Sequence, residues 1–177
     1  MANRDNPHGL APLGRTLRGG FPSVRAYARD ADSATAIFMN DVVSRDADGN
    51  INAGGTPNTT TFQGVSLVYA AGSVAKTDIL VIDSPDALYE AQDNHDSVGL
   101  LEADMGLMCD LEFINAGSAV TFISGHEIDE SAAAHTTADL DVKLLRKLDT
   151  PDNDYGPHAR IEVMFNQHRL NPGVAGV

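Results

Sequence analysis

The segment His126-Glu127-Ile128-Asp129-Glu130 opens like the zinc-protease helix His-Glu-x-x-His, where two imidazoles one turn apart hold a metal. Glu130 stands where the second imidazole is needed, and His135 is too far along the chain to replace it at helical spacing. A polar loop with solvated charges is therefore expected here. Ile82-Asp83-Ser84-Pro85 carries an aspartate and a serine in the order of an aspartic-protease motif, whose two carboxylates share one proton. Proline takes the glycine place and no second copy exists, so the expectation is a strand end followed by a proline turn. Ser44-Arg45-Asp46-Ala47-Asp48-Gly49 aligns Asp46, Asp48 and Gly49 with the third, fifth and sixth places of a calcium loop. The first place is Ser44 and the twelfth Gly55, so the bidentate carboxylate is missing and a hairpin turn is the simpler reading.

Nucleophile and nucleotide motifs fail in the same way. Ser66, Ser73, Ser118 and Ser124 lie in no Gly-x-Ser-x-Gly elbow, and no Gly-x-x-x-x-Gly-Lys-Ser/Thr loop is present. The six histidines (His8, His95, His126, His135, His158, His168) are dispersed, and spacing alone does not show whether they converge. Cys109, the single cysteine, excludes an internal disulfide and a cysteine-only metal cluster, and between Met108 and Leu111 it reads as a small buried thiol. No His-x-His pair suggests a metal-dependent barrel enzyme of cupin type. The expectation is a protein that is not an enzyme, with no cofactor and no bound metal.

Charge is distributed unevenly. The first 29 residues hold five of the 12 basic residues (Arg4, Arg15, Arg18, Arg25, Arg29) and one of the 25 acidic ones, Asp5. A net charge of −13 argues against nucleic-acid binding, which depends on cations neutralising phosphates. The basic segment is also broken by Pro7, Gly9, Pro12, Gly14, Gly19, Gly20 and Pro22. It reads as an extended arm over residues 1–23 that must lie on something else, either a neighbouring copy's acidic surface or another protein. Guanidinium groups suit such contacts because they clamp carboxylates with two parallel hydrogen bonds.

The elements that would position these side chains are short strands. Alternation or apolar runs mark 24–28, 34–38, 41–43, 62–69, 78–82, 88–92, 110–115, 119–124, 140–148 and 159–165, with a turn at 46–50 and a polar loop at 53–61. Residues 98–108 fit a short helix or irregular turn, and Ser131 to His135 add at most one helical turn. The fold expected is all-β: one β-barrel or sandwich body over 24–170, an extended N-terminal arm, at most one or two short helices, and a tail over 171–177. No apolar run approaches the roughly 18 residues that span a bilayer, and the amino terminus lacks a secretory apolar core, so no membrane partner and synthesis in a cytoplasm are expected.

Three groups of residues add a resemblance to these readings. Met1-Ala-Asn-Arg-Asp-Asn-Pro-His-Gly-Leu-Ala-Pro12, Ala34-Thr-Ala-Ile-Phe-Met-Asn-Asp-Val-Val43, and Leu148 to Gly156 running into Ala159-Arg-Ile-Glu-Val163 and Asn166-Gln-His-Arg-Leu170 resemble head decoration (cement) proteins of tailed bacteriophages. The resemblance implies a β-rich virion protein on the outer capsid surface. It would bridge subunits of the major capsid protein, commonly as a homotrimer, and stabilise an icosahedral shell. It implies no catalytic residues; Arg4, Pro7, Leu10, Pro12, Arg15, Arg18 and Arg25 are the expected contacts with capsid or neighbouring copies. The alternative is a head-fibre or baseplate module that recognises a host glycan, for which exposed aromatic side chains would be the sign.

Overall fold

Inward-facing apolar residues on alternate positions of Arg160–Phe165 (Ile161, Val163, Phe165) and Val142–Lys147 (Val142, Leu144) set the architecture. The computed structural model describes residues 3–29, 33–54, 61–72, 77–95, 99–131 and 139–171. Its strands are β1 (Ala11–Thr16), β2 (Val24–Ala28), β3 (Val42–Arg45), β4 (Ile51–Ala53), β5 (Phe62–Ser66), β6 (Asp78–Ile82), β7 (Ala87–Gln92), β8 (Met108–Glu112), β9 (Glu127–Asp129), β10 (Val142–Lys147) and β11 (Arg160–Phe165). They form a six-stranded sheet, β1-β7-β11-β10-β8-β9, and a five-stranded sheet, β2-β6-β5-β3-β4. All pairings between these strands are antiparallel, and the body is an all-β sandwich as expected.

The core lies between the sheets. Tyr89, Leu111, Val142, Leu144, Ile161, Val163 and Phe165 from the larger sheet meet Val42, Phe62, Val65 and Ile82 from the smaller. Each such side chain contributes about 1.5–3 kcal/mol by leaving water. Phe62 and Val65 both reach this core although they stand three positions apart, an odd spacing, because the β3–β5 register shifts at Val43/Ser44. Gly64 at that shift has φ +151°, and a Cβ there would stand 1.9 Å from the carbonyl oxygen of Ile82. The outer face of the smaller sheet buries a second cluster, Ile37, Val43, Ile51, Ala70, Ile79 and Val81.

Two expected strands are absent. Residues 34–38 do not pair as a strand; they cover the second cluster, with Ile37 bridged singly to Ala70. Residues 119–124 turn instead, because the Ser118 hydroxyl accepts the backbone N–H groups of Val120 and Thr121 and the Phe122 N–H closes onto the Ser118 carbonyl. The uncertain 98–108 segment holds one short 3-10 turn, Glu102–Asp104. Residues 132–135, most of the expected helical turn at 131–135, lie outside the described residues, as do 55–60 of the polar loop and 172–177 of the tail.

The expected arm joins the body well before residue 24. Leu10 is fully buried in the main core, and β1 forms the edge of the six-stranded sheet with Pro12 opposite Tyr89. An edge position is where a strand tolerates proline, since its missing N–H interrupts no ladder on the open side. Just before β1, Gly9 adopts φ +69° where a Cβ would lie 2.4 Å from Ser124 Cβ and 2.5 Å from Asn40 O, so the chain enters the sandwich through a gap only glycine fits.

Candidate functional site

Ahead of Gly9, residues 3–8 form a strap held to the body by its own polar groups. Asn3 Nδ2 donates to the carbonyls of Asp154 and Pro157, and Asn3 Oδ1 accepts from Asp154 N–H at 2.8 Å. Gln92 accepts from Asn6 N–H and donates to the carbonyl of Arg4. Asp5 sits between these two anchors.

The strap borders a cleft of about 420 Å³ on the outer face of the larger sheet, lined by Arg4, His8, Glu90, Asp152 and Arg160 among others. Glu90 and Glu162 face each other directly across β7 and β11, a like-charge pair that needs compensation. Arg15 Nη2 and Arg146 Nε both donate to Glu162 Oε2, at 2.7 and 2.8 Å, while Arg160 and His8 approach Glu90 at 3.7 and 3.6 Å. Arg25 lies 3.3 Å from the buried Asp83, which also accepts from Tyr27 Oη and Ser23 Oγ in the expected proline turn. Arg29 is buried and donates to the carbonyls of Ala71, Ser33 and Thr35.

These contacts revise the expected contact set. Leu10 is core, Pro12 is part of an edge strand, and Arg15 and Arg25 are on carboxylates of their own body, which folding reaches first because it costs no association entropy. Arg4 and Arg18 are exposed, and Pro7 lines a second surface cleft with Ile114 and Ser124. Arg18 belongs to the β1–β2 connection beside Leu17, Pro85, Asp86 and Leu170. Phe21 in the same connection is 94% exposed.

The failed motifs resolve differently. Asp46 spends both carboxylate oxygens on Asn50 N–H and Asn52 Nδ2, so the calcium-like loop is the β3–β4 hairpin turn. Residues 126–130 are not a solvated loop: Glu127–Asp129 is β9, and His126, Glu127 and Glu130 are buried. Pairing of Leu111 with Ile128 draws the acidic flanks inward with it. His126 Nε2 stands 3.5 Å from Asp41 Oδ1, and burial pushes the imidazole down to about 4 and the carboxyl up to about 7. Cys109 is buried as expected, and burial raises its thiol pKa far above the usual range.

Sequence reasoning missed a second convergence. Asp5 of the strap, Glu127 of β9 and His158 of the β10–β11 connection bring ligand atoms within 4.8 Å of one another. His158 Nδ1 lies 3.9 Å from Asp5 Oδ1, and its ring packs edge-on to His95 at 5.2 Å. Behind them the fully buried Asp93 accepts the backbone N–H of His158, with burial and the neighbouring Glu130 raising its carboxyl to about 7. The only available signal was chemical type, since these residues come from distant parts of the chain. Residues 5, 127 and 158 could hold a cation.

No family model, curated protein or solved structure matches the chain. Among the described residues no helix is long and apolar enough to cross a membrane.

Proposed function

We propose that this chain is a structural virion protein that decorates the outer surface of a tailed-phage capsid, bridging major capsid protein subunits as a homotrimer. The observation that carries the reading is the β1–β2 connection, where Leu17, Arg18 and Phe21 stand exposed on a short link between two sheets, with exposed Val24 opening β2 beside them. Leu17 N–H donates to the Asp86 carbonyl and Ser23 N–H to Ser84 Oγ, so the link is fastened to the β6–β7 turn and holds its apolar residues outward. A large apolar side chain left in water beside a cation suits burial against another protein. The resemblance of residues 1–12, 34–43, 148–156, 159–163 and 166–170 to cement proteins supports the same assignment. It calls for no catalysis, nucleic acid or membrane.

The test is gradient sedimentation of the purified chain with intact heads of the phage that encodes it. Saturable co-sedimentation at a fixed number of copies per head, lost in a Leu17→Ser/Phe21→Ser variant, is the expected result. A chain that stays at the top of the gradient at every concentration would refute the assignment.

A second reading, a glycan-recognising module of a head fibre or baseplate, is favoured by one feature. Tyr69 and Phe122 are partly exposed with ring centroids 4.6 Å apart, and Phe122 is held at φ +60°, a strained position for an aromatic residue. Saturable binding to host-surface glycan that Phe122→Ala abolishes, with no binding to heads, would select this reading.

A further inference from the structure

We infer that Asp5, Glu127 and His158 form a site for one divalent transition-metal ion of the zinc class, which fastens the amino-terminal strap to the sandwich. Their ligand atoms already lie within 4.8 Å of one another. Metal–ligand distances of about 2.0–2.2 Å require tetrahedral ligand atoms roughly 3.3 Å apart, so closure by about 1.5 Å completes the set. Asp5 can supply that movement, because its side chain is 65% exposed while its neighbours Arg4 and Asn6 are tied to Gln92.

An independent feature points to a cation. Asp93 is 0% exposed, and its Oδ1 has no hydrogen-bond partner although Oδ2 accepts the backbone N–H of His158. Asp93 also bridges in parallel to Ile128, the residue after Glu127, so its backbone runs beside the strand that carries Glu127 while its carboxylate holds the His158 N–H. An unsatisfied buried carboxylate beside a partly buried imidazole is costly without a nearby positive charge. In many metal sites such a group orients the ligand from behind.

The donor set selects the ion class. Imidazole with carboxylates suits zinc, whereas calcium and magnesium take oxygen ligands throughout. The inference is independent of particle binding, since it concerns only how the chain holds its own strap.

Calorimetric titration of the chelator-washed full chain with zinc sulfate, and in parallel with calcium and magnesium chlorides, tests it. We expect one saturable zinc site per chain, weakened at least about tenfold in Asp5→Asn and in His158→Asn. Asparagine tolerates the left-handed backbone that His158 adopts at φ +57°, so the second variant removes the ring and keeps the turn. Asp5 is exposed enough that its variant folds whatever the effect of changing buried Glu127. Zinc should also slow tryptic cleavage after Arg4 in the wild type and not in Asp5→Asn. Absence of saturable zinc binding, wild-type affinity retained in both variants, or a preference for calcium or magnesium would overturn the site.

Discussion

Glu162 shows how a single buried carboxylate can depend on redundant partners. Arg15 and Arg146 donate to the same oxygen, and both guanidinium groups are about half exposed or more, so solvent screens each pair and either alone is worth little. Removing both strands a buried charge opposite Glu90. Arg15→Ala and Arg146→Ala should therefore each cost under about 1 kcal/mol, while the double variant costs more than their sum, a non-additivity that urea denaturation in a double-mutant cycle would read. Asp41 gives a pH-dependent counterpart. Its folded carboxyl keeps a proton up to about 7, whereas the unfolded group releases it near the ordinary aspartate value of 3.8, so its contribution favours the fold at low pH. That contribution falls as pH rises from about 4 to about 7, by at most about 1.4 kcal/mol per pH unit. Relative to Asp41→Asn, the wild type should lose stability across this window; a gain would mean that Asp41 and His126 are held as an ion pair.

At the scale of elements, the strands with clean alternation were legible because one face of each meets a core. β10 and β11 show this in Val142, Leu144, Ile161, Val163 and Phe165. Residues 34–38 and 119–124 carried similar apolar content but pair with no neighbour as strands, since Ser118 offered the second segment a competing turn and the first serves as a cover. The strap and β1 were misread for a related reason: chain breakers dominate the segment, and one residue, Leu10, commits it to the core. The metal-ligand cluster was illegible because spacing rules see only ligands that share an element, and these come from three. The structure makes a prediction about the amino-terminal element that differs from that for a detachable arm. Leu10→Ala should cost about 2–5 kcal/mol, as large-to-small changes at fully buried sites do. Removal of residues 1–22 should cost more, because β1 and its pairing with β7 go too. Thermal or urea unfolding of the two variants measures this, and a truncated chain as stable as the full one would show that the strap and β1 only rest on the sandwich.

For the whole molecule, the question is what force brings copies together when every copy carries a net charge of −13. If arm arginines seated on a neighbour's carboxylates dominated, salt would weaken association. The structure places Arg15, Arg25 and Arg29 on groups of their own body, the first two while still exposed, and leaves Arg4 and Arg18 as exposed cations of the former arm outside the ion pairs seen among the described residues. The exposed apolar residues of the β1–β2 connection, led by Phe21, remain the stronger candidates for contact. Burying them is opposed by repulsion between acidic bodies, which reaches roughly 30 Å at 0.01 M salt and about 8 Å at 0.15 M. Raising salt across that range should therefore promote self-association, and lowering pH toward the pI of about 4.6 should act in the same direction by discharging the carboxylates. Light scattering at matched concentration should show a shift toward trimer as salt rises, and Phe21→Ser should abolish the shift without changing the unfolding midpoint, since the side chain touches little in the monomer. Association that weakens steadily with salt would instead place the contact in arginine–carboxylate pairs, and Arg4 and Arg18 would then be the residues to change.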